Sequence, residues 1–283
     1  MKIAYLGFDF FYGCLESVLE SGHNVYKVFT FDCDNKYNFN LKLCETANRI
    51  GAEVIFSQIT SNDIYKLIEE DCDLIISAGY PYKIPIFKQN MPYAINIHPT
   101  LLPEGKGPWP LPWIILHNLE KSGVTIHKLS EKLDSGDILI QRQYDVSQFD
   151  DLETISCKSQ IMAAALIKEL LTDFTNLWEA ALPQKGYGTY WNMPELTDRT
   201  LDWSNDIHLL KKISRAFGKF DSCAVFDNKE WIVKDLSVWE SAHSHPYGTV
   251  VHRTNNEVVI AAKNGFACLR FFEIDPDCIE GDL

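Results

Sequence analysis

The sequence predicts an α/β fold, a doubly wound and mainly parallel sheet with helices on its faces, followed by a smaller β-rich domain. Two observations carry this. Through the first part of the 283 residues, short apolar runs of strand length alternate with stretches whose apolar residues recur every three or four positions, the βαβ rhythm that produces parallel strands. After Leu182 that rhythm stops, and a stretch rich in Gly, Pro and Tyr gives way to one helix and several short strands. The expected division is therefore a first domain over 1–182, a linker over 183–200 and a small helix-plus-β domain over 201–283.

Taken in order, residues 2–7, apolar after Lys2, read as a buried strand, 13–21 as a helix and 24–30 as a second strand. Residues 41–50 have helical spacing, 53–56 form a short strand, Asn62 is placed to cap a helix running to about Glu70, and 73–77 is another apolar strand. The next strand ends at Asn96-Ile97-His98. Residues 105–112 (Gly-Lys-Gly-Pro-Trp-Pro-Leu-Pro) contain three prolines, so a surface loop rimming a pocket is expected, with a helix at 113–119 after it. Residues 122–129 and 137–144 read as β-segments around a turn, and 152–178 as one long helix packed on the sheet. In the last part a helix at 205–217 precedes strands at 231–233, 248–252, 257–262 and 267–272, with turns at Asp227-Asn228 and Asn255-Asn256.

Composition narrows the function. A hydrophobic content of 46% with 23% charged residues is that of a folded globular chain. No apolar run approaches the roughly 20 residues that span a bilayer, and the start carries no basic leader, so a cytoplasmic protein with no membrane partner is expected. The eight cysteines are scattered without a Cys-x-x-Cys pair, which predicts reduced, structural thiols and no metal site. The net charge of −13 works against a polyanionic partner, since nucleic acid is held by basic residues that displace counterions. Residues 8–13 stand where a dinucleotide fold would carry Gly-x-Gly-x-x-Gly and do not match it, which disfavours a nicotinamide cofactor.

The chemistry concentrates in three segments: Asn96-Ile97-His98-Pro99-Thr100-Leu101-Leu102-Pro103, Gly123-Val124-Thr125-Ile126-His127 and Leu133-Asp134-Ser135-Gly136-Asp137. Asn96 and His98 are two apart, so an extended backbone projects both from one face. An amide donor, an imidazole that titrates near neutrality and a carboxylate are what acyl transfer to an amine requires. Asp134 and Asp137 both lie in a tight turn that Gly136 permits, either as carboxylate of the site or as a solvated turn residue. His127 is expected to support the site rather than to react, and His243 and His245 to cap turns.

This ordered set resembles the formyltransferases that use 10-formyltetrahydrofolate, over the first 180 or so residues, with a weaker echo in Leu201-Asp202-Trp203-Ser204 and Arg215-Ala216-Phe217. The resemblance implies Asn96, His98 and Asp134 as the catalytic trio, with the first proton acceptor open between His98 and Asp134. It favours Asp134 over Asp137 for the catalytic role and leaves Asp137 among the donor contacts. It also implies a donor pocket beside the loop after Ser77, lined by Tyr80, Tyr82, Ile84 and Leu101. Trp109 and Trp113 flank the proline-rich loop as candidates to pack against the acceptor. Among these formyltransferases, a nucleotide-linked amino sugar (dTDP or UDP), as used in surface polysaccharide synthesis, is the favoured acceptor. Methionyl-tRNA is the alternative, but where the tRNA enzymes carry a basic loop, this chain has Glu104-Gly105-Lys106-Gly107-Pro108-Trp109. Glycinamide ribonucleotide, a formate-releasing hydrolase and a non-enzymatic folate-binding protein rank below these. A homodimer through the C-terminal part is expected by the same resemblance.

Overall fold

The computed structural model describes residues 1–87, 89–218 and 222–274; Cys278 lies outside them. Two compact units emerge, one of Met1–Pro110, Glu120–Val146 and Ser156–Asn192, the other of Leu111–Leu119, Ser147–Ile155 and Met193–Leu283. The stretch expected as a linker thus divides, with its first ten residues belonging to the first unit.

In the first unit, β1 (Lys2–Gly7), β2 (Asn24–Phe29), β3 (Glu53–Ile55), β4 (Leu74–Ala78), β5 (Tyr93–His98), β6 (Lys121–Lys128) and β7 (Ile138–Asp145) form one sheet in the order β3-β2-β1-β4-β5-β6-β7. The pairs from β3 to β5 are parallel, while β5–β6 and β6–β7 are antiparallel. Alternation along each strand feeds two cores. Ile3, Tyr5, Leu74, Ile76, Ile95 and Ile97 pack on one face with α1 (Tyr12–Glu20), α2 (Leu41–Ile50) and α5 (Leu152–Thr172). Ala4, Leu6, Ile75 and Ala94 pack on the other with Ile64 and Leu67 of α3 (Ser61–Glu69). A sheet buried on both sides explains why β1 from Ile3 to Leu6 and β4 from Leu74 to Ile76 are continuous apolar runs instead of alternating.

Several boundaries differ from the sequence reading. Thr60, not Asn62, caps α3: its hydroxyl accepts from the Asp63 N–H while the Asp63 carboxylate accepts from the Thr60 N–H, a reciprocal capping box. The single helix expected over 152–178 breaks at Asp173 into α5 and α6 (Phe174–Glu179), with the Asp173 carboxylate accepting from the Asn176 amide at 2.6 Å. The helix α4 (Leu111–Leu116) starts two residues early, with Pro112 in its first turn, where a missing N–H costs no hydrogen bond. It closes before Asn118, which adopts the left-handed region at φ 52°.

The second unit contains α7 (Leu196–Arg199), β8 (Thr200–Leu201), α8 (Ile207–Phe217), β9 (Ser222–Phe226), β10 (Lys229–Glu240), β11 (Val250–Arg253), β12 (Val258–Ala262) and β13 (Gly265–Ile274). Its sheet runs β11-β12-β13-β10-β9-β8, antiparallel except for β8–β9. The expected strand at 231–233 is only an early part of β10, which is twelve residues long. Asp227 and Asn228, at φ 51° and 57°, join β9 to β10 by a two-residue loop, the left-handed pair that matches the twist of a hairpin. Helix α8 buries Ile207, Leu210, Ile213 and Phe217, the three- and four-residue spacing of one face, and lies against β10. Among the described residues no helix is long and apolar enough to cross a membrane.

Candidate active site

The parallel strands β1, β4 and β5 end together at Gly7, Ala78 and His98, the edge where open α/β sheets place their ligands. On β5, Ile95 and Ile97 point into the core, so Asn96 and His98 share the opposite face at that edge. Antiparallel pairing with β6 sets Asn96 opposite His127 and His98 opposite Thr125. The turn from β6 to β7 then brings back Asp134, itself in the left-handed region at φ 50°. Gly136 follows where any Cβ would run into the Lys128 carbonyl oxygen, so the turn closes only around glycine.

Four side chains meet there. One Asp134 carboxylate oxygen, Oδ1, lies 3.3 Å from Asn96 Nδ2, 3.5 Å from His98 Nδ1 and 3.6 Å from His127 Nε2. The other, Oδ2, accepts the Gly107 backbone N–H at 2.9 Å. His98 Nε2 donates to the Gly105 carbonyl at 2.8 Å, and His127 Nδ1 donates to the Lys128 carbonyl at 2.8 Å. Carbonyl oxygens only accept, so those two nitrogens carry the hydrogens and the opposite nitrogens face Asp134 and Asn96. Asn96 Nδ2 has two hydrogens and two acceptors, Asp134 Oδ1 and His127 Nε2, the latter at 3.2 Å. A flipped amide would set its oxygen against the carboxylate, which fixes its orientation.

His98 and Asp134 are each 4% exposed, so water does not screen them. Burial pushes the His98 imidazole below its ordinary value, against the pull of the Asp134 charge and the Gly105 carbonyl. Burial works to raise Asp134, but the positive charge that His98 carries when protonated and the Gly107 N–H outweigh it and hold the carboxyl below its usual range. An ionised carboxylate therefore stands beside an imidazole that is neutral near pH 7, with a lone pair on Nδ1. Such a pair can take a proton and stabilise the resulting cation.

The supporting shell comes from segments that read as loops. Gly105 and Gly107 are buried, unlike the surface loop expected there, and a Cβ on Gly107, at φ 127°, would strike the Trp191 carbonyl oxygen. Gln184 donates from one amide nitrogen to the Asp134 and Gly136 carbonyls, both at 2.9 Å, clasping the turn from behind. Neither Gln184 nor the closeness of His127 to Asn96 was evident in the sequence: the first lies in a stretch that reads as a linker, and the second depends on strand register.

The remaining sequence candidates stand as follows. Tyr80 and Ile84 are buried in the core on the α3 side, and the Tyr80 hydroxyl accepts the Ile59 N–H at 2.9 Å. Tyr82 is 39% exposed, its ring 5.4 Å from Tyr80 and 6.3 Å from Phe31. Leu101 is half-buried and reaches toward Gly123. Asp137 is half-buried, its carbonyl accepting from the Lys128 N–H. Trp109 is half-buried in the first unit, and Trp113 belongs to α4 in the second, its ring 5.4 Å from that of His117.

A family model described as formyl transferase matches residues 3–171. The methionyl-tRNA formyltransferase of Caldanaerobacter subterraneus subsp. tengcongensis is 26% identical over 295 residues, covering 98% of this chain and 93% of that protein. The methionyl-tRNA formyltransferase of Treponema denticola is 31% identical over 164 residues, 56% of this chain and 51% of that protein, so the match spans about half its length. Among solved structures, WlaRD, a sugar 3N-formyl transferase crystallised with dTDP and 5-N-formyl-THF, has the same fold at TM-score 0.66 and 17% identity, covering 95% of this chain and 97% of that one. With the formyl transferase model matching more than half of its length, the chain belongs to the formyl transferase family.

Proposed function

We propose that the chain moves a formyl group from 10-formyltetrahydrofolate to the amine of a nucleotide-linked amino sugar, carrying dTDP or UDP, for surface polysaccharide synthesis. The observation that carries the reaction is the convergence of Asn96, His98 and Asp134 around one carboxylate oxygen at the sheet edge. In this reading the acceptor amine attacks the formyl carbon and negative charge develops on the formyl oxygen. Asn96 Nδ2 re-aims from its long bonds of 3.2 and 3.3 Å to donate to that oxygen. The proton released by the amine goes to His98 Nδ1, and the Asp134 carboxylate stabilises the imidazolium that forms; collapse of the intermediate then breaks the bond between the formyl carbon and N10 of the donor, and His98 returns its proton to that nitrogen as tetrahydrofolate leaves. His127 and Gln184 hold Asn96 and the Asp134 turn in place. Tyr80, Tyr82, Ile84, Leu101 and Asp137 are the candidates for the donor side, Trp109 and Trp113 for the acceptor side.

For the acceptor, two properties favour a small molecule over tRNA. The chain carries net charge −13, and the loop after Leu102-Pro103 sets exposed Glu104 beside Lys106. Glu104 is bonded to Thr189 at 2.7 Å, and the Lys106 backbone bridges Tyr190, so the loop is tied to its own unit. The sugar 3N-formyl transferase WlaRD aligns over nearly its full length, in keeping with this choice. Methionyl-tRNA is the second reading, favoured by the near full-length match to the Caldanaerobacter enzyme. The test is to incubate the protein and donor with dTDP- and UDP-linked amino sugars, and separately with charged initiator tRNA, and to weigh the products by mass spectrometry. A mass gain on a sugar nucleotide supports the proposal, and formylation of tRNA alone overturns the acceptor. A homodimer and a cytoplasmic location complete the proposal.

A further inference from the structure

We propose that a cavity of about 560 Å³ within the second unit binds a nucleoside diphosphate through Trp113, His117, Lys212, Asn205, Asp198 and Asp202. None of these residues belongs to the cluster around Asp134. The choice of a nucleotide as ligand rests on the acceptor reading above, while the site itself rests on the side chains that line it.

The spacing of α8 creates the wall. Ile213 is buried and Lys212 precedes it, so the Lys212 stem lies half-buried at the rim of the apolar stripe. Its neighbour Lys211, equally half-buried on the same helix, donates to the Leu236 carbonyl. Among the described residues no hydrogen bond or ion pair engages the Lys212 ammonium or the Asn205 side chain. An ammonium held at the rim of an apolar stripe with no counter-charge beside it is available to an anion. The acidic residues of the cavity do not supply it. Asp198 accepts the Glu195 N–H at 2.8 Å and Asp202 the Ser204 N–H at 2.9 Å, so backbone bonds orient both carboxylates.

His117 stands on the same wall. The ring is exposed, and partial desolvation, with the charge of Lys212, moves its imidazole below the ordinary value. Trp113, half-buried and tilted 31° to the His117 ring, adds an indole face. A flat ring that stacks on an indole, phosphates that meet Lys212 and His117, and sugar hydroxyls that donate to Asp198 or Asp202 match the groups of one ligand class. The volume falls in the roughly 300–1,000 Å³ range of small-molecule sites.

Calorimetric titration of the full chain with dTDP, UDP and inorganic pyrophosphate tests this. Lys212→Ala is expected to weaken dTDP or UDP at least tenfold, and Lys212→Arg to retain most of the affinity. Trp113→Leu should weaken the nucleotides while leaving pyrophosphate unchanged, and His98→Ala should leave all three unchanged. Thermal melts of each variant confirm folding. Nucleotide binding that ignores both Lys212→Ala and Trp113→Leu, or the absence of binding, overturns the site. The acceptor reading is judged separately by product formation. Sugar formylation with binding indifferent to Lys212 removes the site and keeps the acceptor, whereas Lys212-dependent binding without sugar formylation keeps the site and removes the acceptor.

Discussion

The two sheets handle polar groups differently. In the first unit, a mainly parallel sheet covered on both faces, with the turn that follows β6, buries His98, His127 and Asp134 together, each bonded to backbone or to one another. In the second, the buried polar side chains of the antiparallel sheet and α8 are small, Ser222 and Ser214, and charged residues such as Lys234 and Glu230 face outward. A titratable group is retained in a core only where its partners are supplied. The first sheet supplies them where β5 ends, because the segments that follow β5 and β6 turn the Gly105 carbonyl and the Gly107 N–H inward. The difference assigns chemistry to one sheet and hairpin stability to the other.

The sharpest way to break that assignment is to remove charge at Asp134. Asp134→Asn keeps the shape and an acceptor for the Gly107 N–H but leaves the His98 cation unstabilised. The turnover number is expected to fall on the order of 10²-fold or more, and His98→Ala by a similar factor. Since His98 must be unprotonated to accept a proton, activity is lost as pH falls through its pKa, which burial already holds below the ordinary value. In Asp134→Asn the charge that raises His98 is gone, so the acid limb of kcat/KM moves to lower pH. A pH profile that shifts upward, or a variant with normal turnover, contradicts the role of His98 as base.

Next in size is Gly136→Ala. The new Cβ must displace the Lys128 carbonyl, which pairs with His127, so turn and cluster shift together. A loss of roughly 2–4 kcal/mol is expected, read as a lower midpoint in urea, with activity reduced in the fraction that folds. Gln184→Ala follows. Two neutral hydrogen bonds are lost at about 1 kcal/mol each, and the measurable consequence is about tenfold in kcat with KM for the donor little changed. Gln184→Glu separates positioning from packing, because a carboxylate facing two carbonyls cannot hold the turn.

How far the site was legible follows from the range of the interactions. Asn96 and His98 were legible because a two-residue spacing on a strand fixes a common face with no knowledge of neighbours. The turn with Gly136 left Asp134 and Asp137 open, and only the resemblance chose Asp134. The pairing of Asn96 with His127, 31 residues away, follows from the register between β5 and β6, which no local pattern reports. Gln184 carried no signal at all, lying among Pro, Gly and Lys. In the fold, the break at Asp173 was hidden by helix formers on both sides, although Asp is a favoured cap. The length of β10 was hidden because Lys234, Asp235 and Ser237 interrupt its apolar residues.

The smallest expected effect probes the other sheet. Asn228 closes the β9–β10 hairpin at φ 57°, where glycine meets no Cβ penalty but loses more backbone freedom on folding. These terms oppose each other, so Asn228→Gly should change stability by less than about 0.5 kcal/mol, a shift of about 2 °C or less in a thermal melt. Turnover should match the unaltered protein, because the hairpin supplies no group to the Asp134 cluster. A tenfold change in kcat from this substitution would mean that the antiparallel sheet takes part in the reaction, and the division between a chemical sheet and a structural one would have to be abandoned.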